Sequence, residues 1–111
     1  MTFTVSVIYP KPTTHDLSQP IRFDFDYYLN KHVAGAIALQ KPLGLLSWRV
    51  VSFLDDPASP FAVQTTLDWP DEESASKALG NEKAMREMAE DLRNFTNLEP
   101  VVVKGRVMEA T

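Results

Sequence analysis

Residues 22–40 read RFDFDYYLNKHVAGAIALQ, and the fold turns on how this run is paired with its neighbours. Phe25, Tyr28, Leu29, His32, Val33, Ala36 and Ile37 recur at i, i+3, i+4 and i+7 spacing, which makes one apolar stripe on a helix. Asp24 is the expected N-cap, since a short carboxylate ahead of the stripe can accept a backbone N–H of the first turn. The helix is expected to fade near Gln40, ahead of Pro42. An ionisable ring, His32, lies on the inward stripe.

Strand patterns flank the helix. Phe3, Val5, Val7 and Tyr9 alternate with Thr4, Ser6 and Ile8, the period of two that marks a strand, which stops at Pro10. The stretch PKPTTHDLSQP (10–20) reads as a proline-bounded loop with His15 at its surface. After the helix, GLLSWRVVSFL (44–54) sets Leu46, Trp48 and Val50 on one face and Val51 and Phe53 on the other. DDPASP is its turn, and FAVQTTLDW (61–69) is a third strand with Phe61, Val63, Thr65, Leu67 and Trp69 on one side. PDEESASKAL then opens a helix capped by Asp71, with Glu72 and Glu73 complementing its dipole. A break at Gly80 and Asn81 precedes an amphipathic run through Ala84, Met85, Met88, Ala89 and Leu92, and VVVKGRVM (101–108) is a last strand.

The order strand, helix, strand, strand, helix, strand implies one α+β domain over 1–111: a ferredoxin-like βαββαβ fold, a four-stranded antiparallel sheet with helices on one face. Strands one, two and four carry large apolar residues in both parities, among them Phe3, Ile8, Trp48, Phe53 and Val101 to Val103. A bare apolar sheet face is therefore expected. Covering several hundred Å² of it at about 25 cal/mol per Å² is worth several kcal/mol. The simplest cover is a second copy, giving a homodimer packed sheet to sheet as an α+β barrel, and longer loops folded over the sheet are the alternative.

Composition removes several chemistries. A formal charge of −4 with the Lys and Arg residues scattered singly argues against a nucleic-acid partner. The absence of Cys excludes disulfides, thiolate nucleophiles and Cys-ligated metals, and with two His in all a zinc site is not expected. No GxSxG elbow and no glycine-rich phosphate loop occurs, so neither a serine hydrolase nor a nucleotide cofactor is expected. The N-terminal MTFTVSVIYPKP alternates like a strand rather than a signal peptide, and no apolar run reaches the ~18 residues of a membrane span. The expectation is a soluble, cytoplasmic protein without metal or cofactor.

The runs FDFDYYLNKH, GLLSWRVV and NFTNLEPVV, in this order and on these elements, resemble the EthD-like family of small dimeric α+β barrel proteins along nearly the whole chain. The resemblance implies the ferredoxin-like fold, a sheet-to-sheet dimer and a pocket between sheet and helices, with a family histidine where His32 stands. Relatives include lactone isomerases and dehydratase-like proteins of polyketide pathways, and the broader superfamily holds cofactor-free monooxygenases, decarboxylases and haem proteins. The chain departs from the family pattern after His32, where VAGAIAL replaces a proline-containing segment. Small Ala34, Gly35 and Ala36 there either open the pocket or shift the helix end.

His32 is the candidate catalytic residue, because its ring titrates near neutrality and sits on an inward stripe; the bland alternative is a core histidine bonded to a carbonyl or a tyrosine. Tyr28, one turn earlier, is placed as a substrate-binding neighbour, whereas Asp26, on another angular face, is a dipole partner rather than an orienting group. Trp48 and Phe95 complete the candidate substrate-binding set, and Phe53, Phe61 and Trp69 share their aromatic character; plain core packing is the alternative for each. NFTNLEP reads as a loop whose Asn94, Thr96 and Asn97 satisfy backbone groups while Phe95 anchors it, or as a lid. Two functions are carried: a cofactor-free isomerase or dehydratase acting on a small apolar carbonyl, lactone or polyketide-like compound, and a non-catalytic small-molecule-binding or accessory dimeric protein.

Overall fold

The computed structural model describes residues 2–12 and 20–111, so His15 and the loop reading attached to it lie outside the described residues. Strands β1 (Phe3–Pro10), β2 (Ser47–Ser52), β3 (Phe61–Trp69) and β4 (Val101–Arg106) form one sheet in the order β2-β3-β1-β4. Every neighbouring pair is antiparallel. This is the ferredoxin-like α+β fold. Pairing of Val5 with Leu67 and of Tyr9 with Val63 lines up the apolar parity of the two central strands. That face carries the core, which Tyr28, Val33, Ile37, Ala75 and Ala78 of the helices cover.

The first helix occupies residues 25–40, as its stripe predicts, but it is not a uniform α-helix. α1 (Phe25–Tyr27) runs into a π-helical stretch, Tyr28–Val33, and then into α2 (Ala34–Gln40). Asp24 is the N-cap, its carboxylate accepting the N–H of Tyr27 at 3.1 Å. The wider π turn shifts the inward face: the buried positions are Tyr28, Val33, Ile37 and Gln40, spaced five, four and three apart. Leu29, which the 3.6-residue period places inward, is 45% exposed as a result.

α3 (Glu72–Leu79) and α4 (Glu82–Asp91) are two separate helices. Asp71 caps the first by accepting from the Ser74 N–H at 2.8 Å, and Asn81 caps the second by accepting from the Ala84 N–H at 3.1 Å. A turn at Gly44, whose φ of 109° suits a residue without a Cβ, delivers the chain from the first helix to β2.

The uncovered sheet face is more polar than the sequence pattern suggests. Phe3, Trp48 and Val102 pair with Trp69, Leu67 and Val7, so all three belong to the helix side. At the centre of the other face the Gln64 amide donates to Ser6 Oγ and Thr66 Oγ1, each at 3.4 Å. Its apolar residues include Ile8, Val51 and the exposed Val101 and Val103 of the edge strand β4. The expectation of a continuous greasy face is corrected to a polar centre with an apolar margin.

Candidate active site

His32 sits at the end of the π stretch, facing the last turn of α4. Its Nδ1 lies 2.8 Å from Asp91 Oδ2. A carboxylate can only accept, so Nδ1 carries the proton and Nε2 is left with its lone pair when the ring is neutral. The Asp91 carboxylate is itself held on its other oxygen, where Tyr27 Oη donates at 2.6 Å and Asn94 Nδ2 at 2.8 Å. Desolvation pushes Asp91 upward, but the hydrogen bonds from Tyr27, Asn94 and His32 and the charge of His32 outweigh it and hold the carboxyl below its ordinary value. Tyr27 is driven upward, chiefly because its hydroxyl donates to Asp91, so it stays a donor.

The imidazole is fixed from its faces as well. Tyr28 stacks on it at 5.5 Å between ring centroids and 17° between planes, and Phe95 stands at 4.7 Å. The side chain of His32 is 11% exposed. Among the described residues, Nε2 makes no hydrogen bond.

The ring borders a cavity of about 230 Å³ between the sheet and the helices. Val5, Val7, Thr65, Leu67 and Val102 form its floor, the first helix supplies Tyr28, Ala36 and Ile37, and Met85, Met88, Ala89 and Leu92 close it from α4 and the turn after it. Ala36 and Ala89 are short where larger residues would fill the space, so the volume follows from the sequence. Ala36, one of the small residues after His32, is part of the wall, and a Cβ on Gly35 would meet nothing within 4 Å.

Polar groups on the wall are few: Tyr9, Tyr28, His32, Thr65 and Gln40. Tyr28 Oη and Thr65 Oγ1 share a hydrogen bond of 2.5 Å. Burial is the main cause that pushes the phenols of Tyr9 and Tyr28 upward, so both are neutral hydroxyls near neutral pH. Among the described residues no group of three or more His, Asp or Glu is arranged to hold a metal ion.

The candidate residues named from sequence part company here. Tyr28 and His32 meet on the cavity wall. Phe95 is fully buried behind them, wedged among Tyr9, Phe23, Tyr27 and Tyr28. Trp48 lies apart on the edge strand β2, 42% exposed with the Lys41 ammonium 5.8 Å from its ring, because no helix covers that edge. Phe61 is 39% exposed, and Trp69 is buried outside the cavity. The NFTNLEP loop is bolted down as the turn chemistry predicts, although Asn94 serves Asp91 rather than the backbone. Thr96 Oγ1 donates to the Arg22 carbonyl at 2.8 Å, Asn97 Nδ2 to that of Pro20 at 3.0 Å, and the Asp24 N–H to the Phe95 carbonyl at 2.8 Å.

No family model and no curated protein matches the chain. Solved structures do. An EthD-like protein from Ralstonia eutropha JMP134 is 23% identical, superposes with a TM-score of 0.77, and the alignment covers 99% of this chain and 95% of that one. The chain has the EthD-like fold. An ethyl tert-butyl ether degradation (EthD) family protein from Bacillus halodurans C-125 is 20% identical over 97% of this chain and 100% of that one, with a TM-score of 0.62. SnoaB of Streptomyces nogalater, a cofactor-independent oxygenase, is 11% identical over 98% and 94%, again at 0.62. The fold match thus covers nearly the whole chain, and His32, held by Asp91, lines the interior cavity.

Proposed function

We propose that this protein is a cofactor-free acid/base enzyme acting on a small, mostly apolar carbonyl or lactone compound, with His32 as the proton-transfer group. The observation that carries the reading is the Asp91-oriented imidazole, which lines an apolar cavity and whose Nε2 makes no hydrogen bond among the described residues. His32 Nε2 takes a proton from the carbon next to the substrate carbonyl, and the imidazolium formed is stabilised by Asp91. The neutral hydroxyl of Tyr28 donates to the carbonyl oxygen as the enolate develops. In an isomerisation Nε2–H returns the proton to another carbon; in a dehydration it protonates a departing hydroxyl, which leaves as water. SnoaB, of the same fold, is a cofactor-independent oxygenase, which supports an enzyme of this fold that uses its own side chains.

The partner proposed for the uncovered sheet face is a second copy of the chain, meeting it at the margin of Ile8, Val51, Val101 and Val103.

Deuterium wash-in from D2O into 2-tetralone and a butenolide, followed by mass spectrometry, tests the chemistry. His32→Ala is expected to lose about 10²–10⁴-fold in rate with little change in melting temperature, and Asp91→Asn to lose most of the same factor in rate. Exchange that survives His32→Ala overturns the role of His32. Ligand binding without exchange by the native protein favours the non-catalytic binder instead.

A further inference from the structure

The cavity has a second polar feature that the acid/base pair does not use. Gln40 closes the buried stripe of the first helix, is 7% exposed and lines the cavity. Its side-chain oxygen, Oε1, is fully buried and has no hydrogen-bond partner among the described residues. A buried amide oxygen without a donor costs on the order of 1–3 kcal/mol, which an incoming donor recovers. The one other buried side-chain atom in this condition among the described residues, Trp69 Nε1, belongs to a residue that does not line the cavity.

Gln40 lies eight residues beyond His32 on the same helix, which is about 12 Å along the axis at 1.5 Å per residue. Between the two, the wall is Val33, Ala36 and Ile37, with Met85, Met88 and Leu79 opposite. The polar groups of the cavity therefore fall into two places, a cluster of His32, Tyr28, Thr65 and Tyr9, whose phenol interacts with that of Tyr28, and the lone amide of Gln40, with an apolar span between them. We infer that Gln40 is a specificity residue: the substrate carries, at the end remote from the reacting carbonyl, a hydroxyl or N–H that donates to Gln40 Oε1. Resting on the acid/base reading of the site, this narrows the substrate to an elongated, bicyclic-sized apolar compound with a polar group at each end. A plain monofunctional ketone leaves the amide unsatisfied and binds less well.

Binding of naphthalene, 2-naphthol and 2,6-dihydroxynaphthalene, measured by their own fluorescence, separates this claim from the catalytic one. In this reading one hydroxyl of the diol donates to His32 Nε2 and the other to Gln40 Oε1. The native protein is expected to bind the diol about 3- to 10-fold more tightly than 2-naphthol. Gln40→Met and Gln40→Leu, which keep much of the volume and remove the acceptor, are expected to bind naphthalene as the native protein does and to lose that gain. If the native protein binds naphthalene and 2-naphthol but gains nothing from the second hydroxyl, or if both variants keep the gain, the role of Gln40 is overturned while the role of His32 stands. If none of the three probes binds, the cavity is not a ligand site of this class and the inference fails with it. If the diol preference holds but deuterium wash-in is absent, Gln40 stands and the catalytic reading alone fails.

Discussion

At Asp91 one carboxylate collects three donors, Tyr27, Asn94 and His32, two on one oxygen and one on the other. This arrangement settles the tautomer of His32 and gives the ring a direction. Because the folded-state value of Asp91 is lowered from 3.8, the stability it contributes is present above that value and is lost as pH falls through the folded one. The melting-temperature gap between the native protein and Asp91→Asn is therefore expected to hold steady above about pH 5 and to shrink as pH falls below about pH 4, as thermal scans into the acid range will show; a constant gap contradicts it. The tyrosines carry the opposite sign. Tyr9 and Tyr28 are raised above 10.0, mainly by burial, so their contribution is complete below that value and is lost as pH rises through their folded-state values. Each such phenol costs up to about 1.4 kcal/mol per pH unit once the unfolded chain begins to ionise. All three tyrosines of the chain are raised, so phenolate absorbance is expected to appear above pH 10 and, for Tyr9 and Tyr28, together with unfolding. His32 and Tyr28 were legible in sequence because helical spacing put both on the inward side. Asp91 was not, since it meets His32 only through the packing of two helices 59 residues apart. Its one local signal is an acid at the C-terminal end of α4, where the helix dipole disfavours negative charge.

Among the elements, the π-helical stretch decides what faces inward. A uniform α-helix would bury Leu29 with Tyr28, whereas the π turn buries Val33 five residues after Tyr28 and brings Gln40 into the wall. Periodicity therefore found the helix, its cap and its end, but misplaced Leu29 and passed over Gln40, because a 3.6-residue template cannot register an inserted turn. Phe95 is the anchor that ties this helix to the 92–98 loop: it is fully buried and packs edge-on or tilted against Tyr9, Phe23 and Tyr28. Phe95→Ala is expected to cost about 3–5 kcal/mol, read as a loss of denaturant midpoint. A cost under about 1 kcal/mol is what a loose lid would give.

For the molecule as a whole, the antiparallel ferredoxin-like arrangement followed from the order of strand and helix patterns, since the split βαβ arrangement leaves few other antiparallel solutions. What alternation did not resolve was which parity of Phe3, Trp48 and Val102 meets the helices, a matter of register that only the assembled sheet fixes. The remaining apolar margin, strongest at Val101 and Val103, is expected to pair two copies; light scattering should give twice the mass of the chain, and Val103→Lys should shift it toward one. A monodisperse single chain contradicts the pairing and leaves the cavity unaffected, because the cavity is closed by one chain's own helices. The central claim is that His32, aimed by Asp91, moves a proton in that cavity. Deuterium wash-in into 2-tetralone by the native protein and by folded His32→Ala tests it most directly: catalysed exchange in the first and background exchange in the second is the predicted result, and equal rates in the two would contradict it.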